Sequence, residues 1–175
     1  ISSRNFTKKF LSVRRPSDGA TPLFLAAEQN NMEVVRILVG KGAPVNLGTN
    51  DNLTPLHAAC KEGHSGVARF LLDAKADFNR TARSGYTAMM LAAENGHAKI
   101  IDVLAKYGCD VNATTQVRDD DGGETALHRA CERGHVEMVK MLIERNCDVN
   151  QATKDGRTPL IVASEEGHEK IGRAH

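Results

Sequence analysis

The sequence predicts an all-α solenoid of stacked helix-turn-helix units joined by loops. Two observations predict it: a segment that recurs at an almost fixed interval, and a composition suited to close helix packing. Thr21, Thr54, Thr87, Thr125 and Thr158 open equivalent segments, at intervals of 33, 33, 38 and 33 residues. Of the 175 residues, 41% are hydrophobic but only 4% aromatic, with no Trp. Such a core relies on small residues at helix–helix surfaces rather than on large rings. One unit cannot bury its own apolar faces, but stacked copies can.

Each element follows from local chemistry. The threonine hydroxyl can cap a first helix, and Pro22, Pro55 and Pro159 sit where a helix loses no needed N–H. A small pair follows in each copy, from Ala26-Ala27 and Ala59-Cys60 to Ala163-Ser164, and lets the neighbouring helix approach closely. Gly63-His64, Gly96-His97, Gly134-His135 and Gly167-His168 then end the first helix, because glycine adopts the left-handed conformation that other residues avoid. Asn30-Asn31 replaces this pair in the first copy. Apolar residues at helical spacing form the second helix, as in Val67, Phe70 and Leu71. The unit closes on Val45-Asn46, Phe78-Asn79, Val111-Asn112 and Val149-Asn150, and Asp18-Gly19, Asp51-Asn52 and Asp155-Gly156 suit the tight turn of the next finger.

This pattern resembles the ankyrin repeat. Thr54-Pro55-Leu56-His57-Ala58-Ala59 matches the family's T-P-L-H-x-A signature at every position. The resemblance implies an elongated, slightly curved array over 17–175 with β-hairpin-like fingers along one edge, with repeats at about 17–49, 50–82, 83–120, 121–153 and 154–175, after a basic N-terminal segment, 1–16. The signature histidine survives at His57 and His128, while Phe24, Met90 and Ile161 stand in its place elsewhere. The 38-residue interval puts five extra residues in one finger, within 113–123. The first residue is Ile rather than Met and the fifth repeat is cut short at His175, so the chain is expected to be part of a longer protein.

Charge is nearly balanced, with 23 Lys and Arg against 22 Asp and Glu and a net of +1. A general nucleic-acid or membrane binder would carry a basic excess. The balance hides an asymmetry: Arg4, Lys8, Lys9, Arg14 and Arg15 lie in the first 15 residues with no acid, and the remainder is mildly acidic. No apolar run approaches the about 18 residues that cross a bilayer.

The residues that could do chemistry fall into repeat columns. His57 and His128 share one, and His64, His97, His135 and His168 another, which spreads them along the stack as structural hydrogen-bonders. His57/Cys60 and His128/Cys131 lie three apart on a helix, but the two pairs are two layers, or about 20 Å, apart, too far for one four-ligand zinc ion. Cys60, Cys109, Cys131 and Cys147 fill small-residue columns whose separation exceeds the about 7 Å reach of a disulfide. Free thiols suit a reducing compartment, and the expected location is intracellular and cytoplasmic, with the nucleus also open.

The sequons at Asn5, Asn52, Asn79 and Asn112 are expected to be unused, Asn79 and Asn112 being needed for their turns. The resemblance implies that Asn112 and Asn150 could be hydroxylated. Asp119-Asp120-Asp121-Gly122-Gly123-Glu124 lacks the closing glutamate of a calcium loop, since residue 130 is Ala. No phosphate-binding, serine-hydrolase or zinc-protease motif is present. We expect no catalysis, no cofactor and no metal.

In a solenoid the varying exposed positions carry recognition. Finger tips and the ends of the first helices therefore form the candidate surface: Leu53, Arg83, Tyr86, Glu62, Glu94, Asn95, Arg129, Glu132 and Arg133. Tyr and Arg are favoured interface anchors, and the recurring glutamates form an acidic stripe suited to a basic or mixed-charge partner. The expected function is a monomeric protein-interaction module, a scaffold or adaptor segment that binds a protein or peptide, without nucleic acid or membrane. The resemblance leaves two alternatives: an ankyrin-type inhibitor of an enzyme such as a kinase, and the ankyrin portion of a larger channel or enzyme.

Overall fold

The computed structural model describes residues 10–116 and 122–172. Arg4, Lys8, Lys9, Asn5, the acidic run 119–121 and His175 lie outside them. Among the described residues the structure is helical. The first helices of successive repeats are α1 (Pro22–Glu28), α3 (Pro55–Lys61), α5 (Ala88–Glu94), α7 (Ala126–Glu132) and α9 (Pro159–Glu165). The second helices are α2 (Met32–Gly40), α4 (Ser65–Asp73), α6 (Ala98–Lys106) and α8 (Val136–Glu144). α1, α3, α5 and α7 each pack on their own second helix, and successive first helices pack on one another from α1 to α9. No helix of the described residues is long and apolar enough to cross a membrane.

The threonines cap as expected: Oγ1 of Thr21, Thr54, Thr87, Thr125 and Thr158 accepts the N–H three residues on, at 3.1–3.4 Å. The small pairs are buried between first helices, except that Ser164 of the last pair is exposed, and one continuous core runs through Leu23, Leu56, Leu71, Ile100, Leu104, Leu127 and Leu142. The fifth repeat forms no second helix within the described residues, yet Ile171 is fully buried. The end of the basic segment docks on the array: Leu11 joins the core, and the Arg14 guanidinium donates to the Gly48 carbonyl at 2.7 Å.

The fingers are hairpin-like, closed by backbone bonds from the N–H of Thr49, Ala82, Thr115 and Thr153 to the carbonyls of Leu53, Tyr86, Glu124 and Arg157, at 2.8–2.9 Å. Neighbouring fingers are linked in turn: the amides of Asn50, Arg83 and Lys154 donate to the carbonyls of Asp18, Asp51 and Gly122.

The Gly-His column is a set of staples between repeats. The ring Nε2–H of His64, His97, His135 and His168 donates to the carbonyl of Glu28, Lys61, Glu94 and Glu132, at 2.8–2.9 Å. The glycine makes room for the ring as well as turning the chain. Gly63 has φ +78°, and a Cβ there would lie 2.7 Å from His97 Nδ1. Gly63→Ala is therefore expected to cost about 2 kcal/mol in urea unfolding, from the left-handed strain plus a displaced staple. Gly108→Ala, with φ +81° but no neighbour within 4 Å, should cost clearly less. Equal losses in the two variants would mean that the ring contact contributes nothing.

Candidate protein-binding surface

Most of the surface residues picked from the sequence gather around Tyr86. Tyr86 leaves the third finger half-buried, packed against the core, and the Arg129 guanidinium of α7 lies over its ring at 4.5 Å from the centroid. Arg129 also pairs with Glu124 from the lengthened finger and with Glu132 one turn along its helix, the latter at 2.6 Å. Beside this set, Arg133 reaches back one repeat to Glu94 at 2.6 Å. Burial, together with the neighbouring glutamates, raises the Tyr86 phenol above its ordinary pKa. Tyr86, Glu94, Arg129, Glu132 and Arg133 thus form one patch.

The other candidates do not join it. Leu53 is partly buried in a satellite cluster with Ala20, Phe24 and Ala58, one repeat earlier. Arg83 stays exposed, and its backbone N–H holds the Asp51 carbonyl. Glu62 is exposed beside Lys61 at 3.9 Å, and the Asn95 side chain turns back to the Leu91 carbonyl at 2.8 Å.

The glutamate stripe is less acidic in effect than its composition suggests, because Glu94 and Glu132 are each paired with an arginine of the same face. Glu124 stands in the sequence only as the end of an acidic run, and its role as the second carboxylate on Arg129 is not visible there. No spacing rule links Glu124 to a side chain five residues on that first crosses the helix start.

Arg129 and Glu124 retain only 12% and 13% side-chain exposure, so this pair is desolvated, whereas Arg133 is half-exposed. Arg129→Ala would strand the Glu124 carboxylate and uncover the Tyr86 ring. The expected loss is about 1–3 kcal/mol, between the values for surface and buried pairs. Arg129→Lys should recover only part of it, since an ammonium cannot span two carboxylates and a ring face at once. Urea unfolding of the two variants checks both statements; full recovery by lysine would remove the planar-cation argument.

His and Cys side chains are committed elsewhere. The Nδ1 of His57 and of His128 accepts the N–H of Thr54 and of Thr125, at 3.2 and 3.1 Å, which closes a capping box. The four thiols are unpaired with one another, and burial raises their pKa values, to about 12 for Cys109 and Cys131 and about 11 for Cys147.

A fixed frame of caps, staples and small pairs, with variable tips along one edge, defines a repeat-solenoid binding module. The chain belongs to the ankyrin-repeat family: a family model described as ankyrin repeats (3 copies) matches residues 2–82 and 114–174, and another, described as ankyrin repeats (many copies), matches 73–116. No curated protein matches the chain. Ankyrin repeats are, as a class, protein–protein interaction modules.

Proposed function

We propose that this chain is a scaffold or adaptor segment without catalysis of its own, which holds a protein or peptide across its finger tips and the ends of its first helices. The observation that carries the reading is the Tyr86 patch. A half-buried tyrosine under an arginine, rimmed by paired charges of both signs, combines a rigid apolar anchor with oriented donors and acceptors. Such a patch suits a partner of mixed charge better than a strongly basic one, since its glutamates already have counter-ions. The four free thiols fit an intracellular, reducing location.

Affinity capture with quantitative identification of bound proteins tests the proposal. Tyr86→Ala combined with Arg133→Ala should lose a specific partner that the wild type retains. Ile37→Ala, on the second-helix face and 55% exposed, should keep it. The opposite pattern would move the binding face to the second helices.

A further inference from the structure

The loops that close successive repeats are latched together at two junctions and open at a third. At the first, the Asn46 Oδ1 accepts the Asp77 amide N–H at 2.8 Å. The third-to-fourth junction repeats this, with Asn112 Oδ1 accepting from the Asp148 amide at 2.8 Å. The equivalent partners between the second and third repeats are Asn79 and Asp110. Among the described residues the Asn79 side chain makes no hydrogen bond and the Asp110 amide finds no acceptor, so the expectation that Asn79 serves its turn through its side chain fails here.

The residues flanking the asparagine differ at this junction, where Phe78 and Arg80 stand in place of Val45 and Leu47 or of Val111 and Ala113. At this junction lies a cleft of about 340 Å³ with Phe78 and Met89 in its wall, Cys109 and Thr114 beside them, and Asn79 and Asp110 on its rim.

The intact junctions show what this cleft lacks. An amide N–H at Asp110 calls for an oxygen acceptor, which excludes an ammonium group. No lysine or arginine lines the cleft, and the Asp110 carboxylate disfavours an incoming anion. A neutral carboxamide meets both demands: its oxygen accepts the Asp110 N–H as Asn46 and Asn112 do for their partners, and its NH₂ can donate to the Asn79 carbonyl oxygen.

We propose that this cleft is a docking slot for a glutamine or asparagine side chain of a partner polypeptide, whose stem packs over Phe78 and Met89. The slot uses residues other than the Tyr86 patch and stands or falls separately from it.

The test is a ¹H–¹⁵N NMR titration of the chain with two blocked pentapeptides, Ala-Ala-Gln-Ala-Ala and Ala-Ala-Leu-Ala-Ala. The glutamine peptide should shift the Asp110 amide and the Asn79 side-chain amide saturably, leave Asp77 and Asp148 unmoved, and bind roughly five- to tenfold tighter than the leucine peptide. Phe78→Val should close the latch and abolish the response. Asp110→Pro removes the donor together with the carboxylate that accepts the Asn112 N–H, at a position where the first repeat already carries Pro44, and should bring the two peptides to equal affinity, whereas Asp110→Ala, which keeps the N–H, should preserve the difference. Absence of a saturable shift at Asp110, equal affinities for the wild type, or a response that survives in both Phe78→Val and Asp110→Pro would overturn the proposal.

Discussion

Shortening Leu127 to alanine is expected to lower the unfolding free energy by about 3 kcal/mol, within the usual cost of a leucine-sized cavity in a packed core. Leu127 is 1% exposed on α7, which packs between α5 and α9 and against its own second helix α8, so no element can close on the void without losing another contact. Repeat arrays are held by nearest-neighbour interfaces, so the loss should be local in its first effect. Hydrogen exchange should speed up in α7, α8 and α9 well before α1 and α3. Leu160 holds the same column but is 42% exposed at the end of the stack. Leu160→Ala should therefore cost about 1 kcal/mol or less, in proportion to the apolar area it still buries. Similar losses for the two leucines in urea unfolding would contradict the layered account of the core.

Acid should weaken the fold through His57. Its ring is 1% exposed, and burial holds its pKa at about 4 against an ordinary 6.5. Its Nδ1 already accepts the Thr54 N–H, and Nε2, near the Arg80 and Tyr86 carbonyls, reaches no acceptor at hydrogen-bond geometry. The nearby Arg80 guanidinium also opposes a second positive charge. The unfolded chain therefore binds the proton more readily than the folded one. Stability from this residue is complete above about pH 6.5 and is lost as pH falls toward 4, a change of about 3 kcal/mol. His128, lowered in the same direction by its burial, adds to the trend. The third repeat supplies the control, since Met90 fills the same slot with its sulfur toward the Thr87 N–H at 3.5 Å. His57→Met should flatten the dependence of the urea midpoint between pH 7 and 4.5. An unchanged slope in that variant would assign the acid lability elsewhere.

Much of this was legible in the sequence, for a physical reason. Caps, left-handed glycines, small pairs and apolar stripes are local requirements, and a repeat states each of them several times over. Thr54, Gly63 and Ala59 could be placed from one copy and checked against the rest. The binding patch was legible only in outline. Tyr86 and Arg133 were visible as variable exposed positions, but the ring contact with Arg129 and the pairing of Glu94 depend on rotamers and on the offset between layers. Leu53 looked like an open tip because nothing local reveals that Phe24, where the signature has histidine, offers it an apolar bed. The open loop junction was hidden for a similar reason. Asn79 and Asn112 are equivalent to any periodicity, and only the three-dimensional fit between loops decides which side chain reaches the next amide.

The staple between the third and fourth repeats, His135 to the Glu94 carbonyl, measures 2.9 Å although its repeat interval is 38 residues rather than 33. Those spanning the shorter intervals measure 2.8–2.9 Å. The longer interval leaves the helices in register, and the Thr115–Glu124 backbone bond still closes the finger. Finger length is thus a free parameter of this architecture. A foreign epitope, a fluorophore site or a second recognition loop could be grafted between Gln116 and Gly122, while the helices keep their register.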